Sequence, residues 1–317
     1  MDWTRLMGSW NDDNIGDLTG LNAVVTGANS GVGFYTSLAL ARNGANVVMA
    51  CRDESRSQKP FNEVSAAATG EVELRTLDLA DLDSVAEFAA GMNADSDSLD
   101  ILVNNAGVMG GPRRSTAQGF EQQMGTNHLG HFALAAQLWP LLTAAAAPRV
   151  VSLSSLAARS GSLGADMTRD DLVDPQPYRP FPVYQNTKQA TLLFSQELAR
   201  RATAAKLPLV SVAAHPGVSS TNLFNRQLRE RNLGFAVPVV DGFGKVVFQS
   251  PKAAANPSIR AATDIEVRTG GFVGPGSLGQ IRGSAEIISV FGPGRDPKTA
   301  ARLWELSEEI TQTSFPI

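Results

Sequence analysis

Tyr184-Gln185-Asn186-Thr187-Lys188 sets a phenol and an ammonium four residues apart, the separation that puts two side chains on one face of a helix. A phenol whose ordinary pKa is near ~10 yields its proton at neutral pH only when its surroundings favour the anion. A neighbouring cation does so, and the pair then suits protonation of an oxygen that gains negative charge during a reaction. Hydride arriving at a carbonyl carbon creates such an oxygen. The same spacing also occurs on exposed amphipathic helices, so the pair needs company before it signals catalysis.

Company comes from Thr26-Gly27-Ala28-Asn29-Ser30-Gly31-Val32-Gly33, which follows an apolar strand and opens a helix. Glycines let the backbone turn tightly against a pyrophosphate, and the free amides of a helix start attract its charge. Gly27, Asn29, Ser30, Gly31, Val32 and Gly33 are therefore candidate cofactor contacts, Ser30 adding a hydroxyl. The next strand ends in Ala50-Cys51-Arg52. An acid at that place hydrogen-bonds the adenosine ribose of NAD, whereas a guanidinium accommodates the 2′-phosphate of NADP. Arg52 thus favours NADP(H) over NAD(H), while Asp53 and Arg56 beside it are also compatible with an ordinary salt-bridged turn.

The T-G-x-x-x-G-x-G spacing of Gly27, Gly31 and Gly33, taken with Tyr184 and Lys188, resembles the short-chain dehydrogenase/reductase family. The Ala50-Cys51-Arg52 strand end and the long insertion from Ala157 to Val183 resemble its retinol dehydrogenase-like branch. In motif order and spacing the resemblance runs from about Leu18 to Thr221. It implies roles for further residues. Asp78, followed by Leu79, would meet the adenine edge. Asn104-Asn105-Ala106-Gly107 matches an N-N-A-G segment whose asparagines pin the central sheet and whose Ala106 and Gly107 let backbone approach the cofactor.

Of the adjacent serines, the resemblance implies that Ser155 hydrogen-bonds the substrate oxygen, with Ser154 as the fallback. Asn127 resembles the asparagine that bends a helix and holds a water between the lysine and solvent. Pro216, Gly217, Val218 and Thr221 fall in a P-G-x-x-x-T segment that faces the nicotinamide, and Tyr184 and Lys188 also touch the nucleotide. The implied catalytic set is Asn127, Ser155, Tyr184 and Lys188.

These residues need a scaffold of alternating elements. Apolar runs at Ala23 to Thr26, Asn46 to Ala50, Glu73 to Leu77, Leu99 to Val103, Arg149 to Leu153 and Leu209 to Ala213 predict six parallel strands. Helices are expected at Gly33 to Asn43, Leu82 to Gly91, Gly119 to Leu142 and Tyr184 to Ala205. Pro140, which lacks an amide hydrogen, should kink or stop the third of them. A short strand near Gly271 to Val273 and a helix from Pro297 to Thr311 complete the pattern. The fold class expected is α/β, a Rossmann-type doubly wound parallel sheet with helices on both faces, in a single domain over the 317 residues.

Composition agrees with a folded chain: 43% hydrophobic and 18% charged residues leave too little charge for disorder. A net charge of -4 without a basic block argues against nucleic acid. One cysteine, Cys51, excludes an intrachain disulfide or a cysteine zinc site. His128 and His131 share a helix face without an acidic companion, so no metal is expected. Residues Met1 to Gly20 lack the apolar core of a secretory signal, and no stretch approaches the ~20 apolar residues of a membrane span. A cytoplasmic location is the expectation.

The segment from Asn222 to Val247, rich in Leu223, Phe224, Phe235 and Phe243, follows the cofactor loop and is placed to cover the active site of an enzyme with a lipophilic carbonyl or alcohol substrate. Core packing or a subunit contact would use the same residues. Two other functions fit the motifs: reduction of a carbon-carbon double bond, and a non-catalytic NADP(H) sensor or scaffold. The resemblance implies a homodimer or homotetramer paired through the helices of Asn127 and Tyr184, with the C-terminal extension at about 270–317 placed to block or replace that contact.

Overall fold

Strands form where short runs can be buried on both faces. Val24, Val25, Leu102, Val103, Val150 and Val151 are wholly inaccessible, as a parallel sheet sandwiched between helices requires. The structure, a computed structural model, describes residues 10–218 and 249–317. Its strands are β1 (Asn22–Thr26), β2 (Asn46–Cys51), β3 (Val72–Thr76), β4 (Ile101–Asn104), β5 (Arg149–Leu153), β6 (Val210–Ala214), β7 (Phe272–Ser277) and β8 (Arg282–Ile287). They form one sheet in the order β3-β2-β1-β4-β5-β6-β7-β8. Pairing is parallel except for β8, which runs antiparallel to β7. This is the Rossmann-type doubly wound sheet that the alternation predicts, in a single domain. The chain winds outward in opposite directions from β1 and from β4, and a crevice opens above their carboxyl ends.

The helices are α1 (Gly31–Arg42), α2 (Glu54–Ala67), α3 (Leu82–Asp95), α4 (Gln122–Met124), α5 (Gly130–Gln137), α6 (Trp139–Ala144), α7 (Arg169–Val173), α8 (Pro180–Ala204), α9 (Pro251–Thr263) and α10 (Pro297–Thr311). A π-helical turn, Gly125–Leu129, joins α4 to α5. On one face of the sheet, Leu40 of α1 and Ile259 of α9 pack over Val25 and Val103. On the other, Phe88 of α3, Phe132 of α5 and Phe194 of α8 cover Val24, Leu102 and Val150. Outside that layer α10 lies against α5 and α8. There Trp304 meets Phe132 edge-on with ring centres 5.2 Å apart, and Phe315 sits 4.7 Å from Trp304.

The long helix expected over Gly119 to Leu142 is in fact broken. The π turn interrupts it at Gly125, and the chain reorients at Leu138, so that Pro140 stands in the first turn of α6. A missing amide hydrogen costs nothing there. Likewise α8 starts at Pro180 rather than Tyr184. Helices α2 and α9 and strand β8 were not expected. Each helix carries an interior proline, Pro60 or Pro257, and α2 buries only Ser57 and Val64; tertiary packing outweighs local propensity. Among the described residues no helix is long and apolar enough to cross a membrane.

Candidate active site

The glycine loop lies between the end of β1 and the start of α1. Gly27 and Gly31 adopt φ of 64° and 58°, a region that disfavours any residue with a Cβ. Ser30, the residue before α1, is extended and makes no side-chain cap, and no acid stands in the first turn. The amides at the helix start therefore keep their positive end for whatever occupies the cleft. A loop of this shape suits an anionic group such as a pyrophosphate. Gly27, Asn29, Ser30, Gly31 and Val32 line the cleft, whose volume is about 1080 Å³. Gly33 lies behind it: a Cβ there would come within 2.5 Å of the Gly27 carbonyl oxygen, so the residue serves close packing.

One hydroxyl ties this loop to the next. Thr26 Oγ1 accepts from the amides of Asn105 and Ala106, both at 2.9 Å, and lies 2.9 Å from His131 Nε2. Asn105 Nδ2 donates to the Thr26 carbonyl at 2.7 Å. Pinning thus falls to Asn105, and the expectation for Asn104 is corrected. Its side-chain amide is buried and has no hydrogen-bond partner among the described residues.

At the end of β2, Arg52 is exposed on the cleft wall. Asp53, the acid beside it, is already engaged: its carboxylate accepts from Ser55 Oγ at 2.7 Å and pairs with Arg56 Nε at 3.1 Å. Arg56 lines the same wall. Cys51 is buried beneath the loop, and its thiol is pushed up by that burial. Asp78 and Leu79 also border the cleft. Part of Asp78 is spent locally, since its carboxylate accepts from the Ala80 amide at 2.9 Å in a turn.

The first turns of α8 bring Tyr184 and Lys188 to the opposite wall, 9% and 6% exposed. Lys188 Nζ donates to the Leu153 carbonyl at 2.8 Å and lies 5.9 Å from the centre of the Tyr184 ring. Burial holds the ammonium down at about 8. Burial likewise pushes the Tyr184 phenol up, opposed by a hydrogen bond from Ser155. The ammonium is thus anchored to the end of β5 while it stays beside the phenol. The two serines part ways. Ser154 Oγ donates to the Lys188 carbonyl at 2.7 Å, whereas Ser155 Oγ accepts from the Ala157 amide at 3.2 Å and lines the cleft with Tyr184.

Asn127 lies in the π turn behind the wall. Its Oδ1 accepts from the Val108 amide at 2.7 Å, and its Nδ2 donates to the Val108 carbonyl and Thr187 Oγ1, both at 2.9 Å. The Asn127 carbonyl accepts from His131 Nδ1 at 3.1 Å. Burial lowers His131 to about 4 and His128 to about 3, so both are neutral at pH 7. His128 Nε2 lies 2.8 Å from Ser307 Oγ. Among the described residues no cluster of histidine, cysteine and acids is arranged for a metal ion.

Ala106, Gly107, Pro216, Gly217 and Val218 complete the cleft; Thr221 and the segment 222–247 lie outside the described residues. Sequence reasoning missed the apolar border near Tyr184, made by Val108, Met109, Leu156, Pro180 and Phe181. Phe181 is 54% exposed yet lies one turn before Tyr184, a spacing that was available as a signal.

A glycine-loop cradle at the switch point of a parallel sheet, facing a serine, a tyrosine and a lysine, defines a dinucleotide-dependent oxidoreductase. The chain belongs to the short-chain dehydrogenase/reductase family. Residues 21–167 match the family model for short chain dehydrogenases. Human retinol dehydrogenase 13 is 35% identical over 300 residues, covering 94% of this chain and 87% of that protein. Human dehydrogenase/reductase SDR family member 13 is 35% identical over 299 residues, 93% of this chain and 74% of its own length. A crystal structure of an uncharacterised protein from Mycobacterium paratuberculosis is similar over 98% of this chain and 100% of its own, at 37% identity and a TM-score of 0.78. The Pseudomonas aeruginosa RhlG/NADP active-site complex, 24% identical with a TM-score of 0.60 over 80% of this chain and 94% of its own, shares the fold.

Proposed function

We propose that the protein transfers a hydride between the nicotinamide of NADP(H) and the carbonyl or alcohol carbon of a lipophilic small molecule. The observation that carries this reading is that Ser155, Tyr184 and Lys188 line one wall of the cleft with the glycine loop, the Lys188 ammonium lying one helical turn beyond the phenol. When bound, the dinucleotide supplies or accepts the hydride. The protein has to bind, orient and move one proton. Gly27, Asn29, Ser30, Gly31 and Val32, with the amides opening α1, would hold the pyrophosphate. Asp78 and Leu79 would border the adenine, and Asn105 would keep Ala106 and Gly107 against the nicotinamide half with Pro216, Gly217, Val218 and Thr221.

Arg52 and Arg56 support NADP(H). Asp53 is committed to Arg56, and Arg52 has no acidic partner among the described residues, so a guanidinium is available to a 2′-phosphate. At the reacting end, Ser155 hydrogen-bonds the substrate oxygen and Tyr184 delivers or removes its proton. Lys188, held near the working pH, supports the charge on Tyr184 and returns the proton, and we assign Asn127 to the path between Lys188 and solvent. The apolar border of Val108, Met109, Leu156, Pro180 and Phe181 supports a lipophilic substrate, in keeping with the retinol dehydrogenases among its relatives.

The test is oxidation of NADPH, and separately NADH, with all-trans-retinal, hexanal and 2-cyclohexen-1-one, products being identified. Alcohols formed from the aldehydes, faster with NADPH, support the reading. A saturated ketone from the enone would move the chemistry to the carbon-carbon double bond. NADPH binding without turnover of any of the three would leave a nucleotide-binding sensor.

A further inference from the structure

Two walls face each other across the mouth beside Tyr184. Val108 and Met109 form one, Pro180 and Phe181 the other. They come from distant parts of the sequence, Pro180 and Phe181 from the first turn of α8 and Val108 and Met109 from the segment after β4. Besides Asn127, which ties Val108 to Thr187 further along α8, a second buried amide joins this segment to the start of that helix. Gln123, 2% exposed on α4, accepts from the Gly110 amide through Oε1 at 2.7 Å and donates through Nε2 to the Pro180 carbonyl at 3.0 Å and to Tyr178 Oη at 3.3 Å. Tyr178 in turn donates to the Gly111 carbonyl at 3.4 Å. At the surface Arg113 pairs with Asp174, joining the residues that flank these two segments.

We propose that Gln123 is a specificity-positioning residue, which sets the width of the substrate mouth by holding the 108–111 and 178–181 segments at a fixed distance. Its chemistry is suited to the task. A carboxamide offers an acceptor and a donor from one planar group, so one side chain satisfies an amide on one wall and a carbonyl on the other. Buried, these bonds exchange poorly with water and resist opening. Gln123 lines no part of the cleft and acts only through the walls. A bulky substrate that touches both walls therefore depends on it, and a small one that reaches only Ser155 and Tyr184 does not.

The inference rests on the oxidoreductase reading above, and its test separates the two. Gln123→Met keeps the side-chain length and removes both hydrogen-bonding groups; Tyr178→Phe, a milder change at a half-buried position, removes only the phenolic link. Hydrogen exchange of the NADPH-bound proteins should be faster in Gln123→Met at both 108–111 and 178–181, and Tyr178→Phe should move the same segments less. With all-trans-retinal the KM of Gln123→Met should change by about tenfold, while kcat with hexanal and the NADPH Kd stay within about twofold of wild type. Unchanged exchange in both variants overturns the staple, whether or not the wild type turns over either aldehyde. Equal losses with retinal and hexanal overturn the specificity role and leave a general structural one. A wild type inactive on both aldehydes counts against the oxidoreductase reading alone.

Discussion

The Ser154 hydroxyl donates to the backbone carbonyl of Lys188 at 2.7 Å. That bond joins the end of β5 to the middle of α8 and leaves the neighbouring serine to face the cleft. Two residues that sequence alone could hardly tell apart thus have separable duties. Ser155→Ala should lower kcat by ~10²–10³ with little change in melting temperature. Ser154→Ala should instead cost ~0.5–1.5 kcal/mol of stability by removing a buried hydrogen bond between the end of β5 and α8. Steady-state kinetics and urea unfolding on both variants check this; the opposite pattern would return the catalytic role to Ser154.

Tyr184→Phe removes only the ionisable oxygen. Turnover should fall by at least ~10²-fold, whereas NADPH binding, followed by fluorescence titration, should be retained. Activity equal to wild type would refute the assigned acid.

Arg52→Asp should invert the charge offered to the adenosine ribose and move preference toward NADH, through loss of NADPH affinity by about tenfold or more. Arg56→Ala should do less, because that side chain is shared with Asp53. Competition between the two nucleotides reads this directly, and unaltered NADPH selectivity in the Arg52 variant would remove its role.

Burial lowers the Lys188 ammonium from 10.5 to about 8, which has opposite consequences for rate and stability. Carbonyl reduction that uses the ammonium should decline as pH rises through about 8. Above that value the unfolded chain still binds the proton that the folded chain has released, so this group makes stability increase with pH until its ordinary value is reached. Urea midpoints of wild type and Lys188→Met across that window isolate the contribution. A wild type that fails to gain stability relative to Lys188→Met as pH rises through this window would contradict the burial of the charge.

Phe315→Ala should destabilise the fold by ~3–5 kcal/mol, because its ring packs among Phe132, Trp139 and Trp304 with centres 5.2, 5.2 and 4.7 Å away. Chemical denaturation measures it.

Much of the scaffold was legible because five of the six expected strands are largely buried apolar runs, β3 alone being half-exposed, and each of the six lies within a residue or two of its expected place. Helices α2 and α9 were obscured by Pro60 and Pro257, and β8 by a pattern in which only Ala285 is buried. The glycine loop, Arg52, Tyr184 and Lys188 announce themselves through residue type and spacing. Asn104 was misread because only tertiary structure decides which of two adjacent asparagines turns toward Thr26. Gln123 left no mark at all, since its partners are main-chain groups whose positions no local pattern encodes.

The chain of contacts from the Asn105 and Ala106 amides through Thr26 to His131 and on to the Asn127 carbonyl makes nearness to the cleft a poor guide to which substitutions matter. His131 does not line the cleft, yet its loss would slacken the end of β1 beside the glycine loop and the π turn that carries Asn127. Weaker cofactor retention and slower turnover would then arrive together from a residue that a survey confined to the cavity surface would never sample.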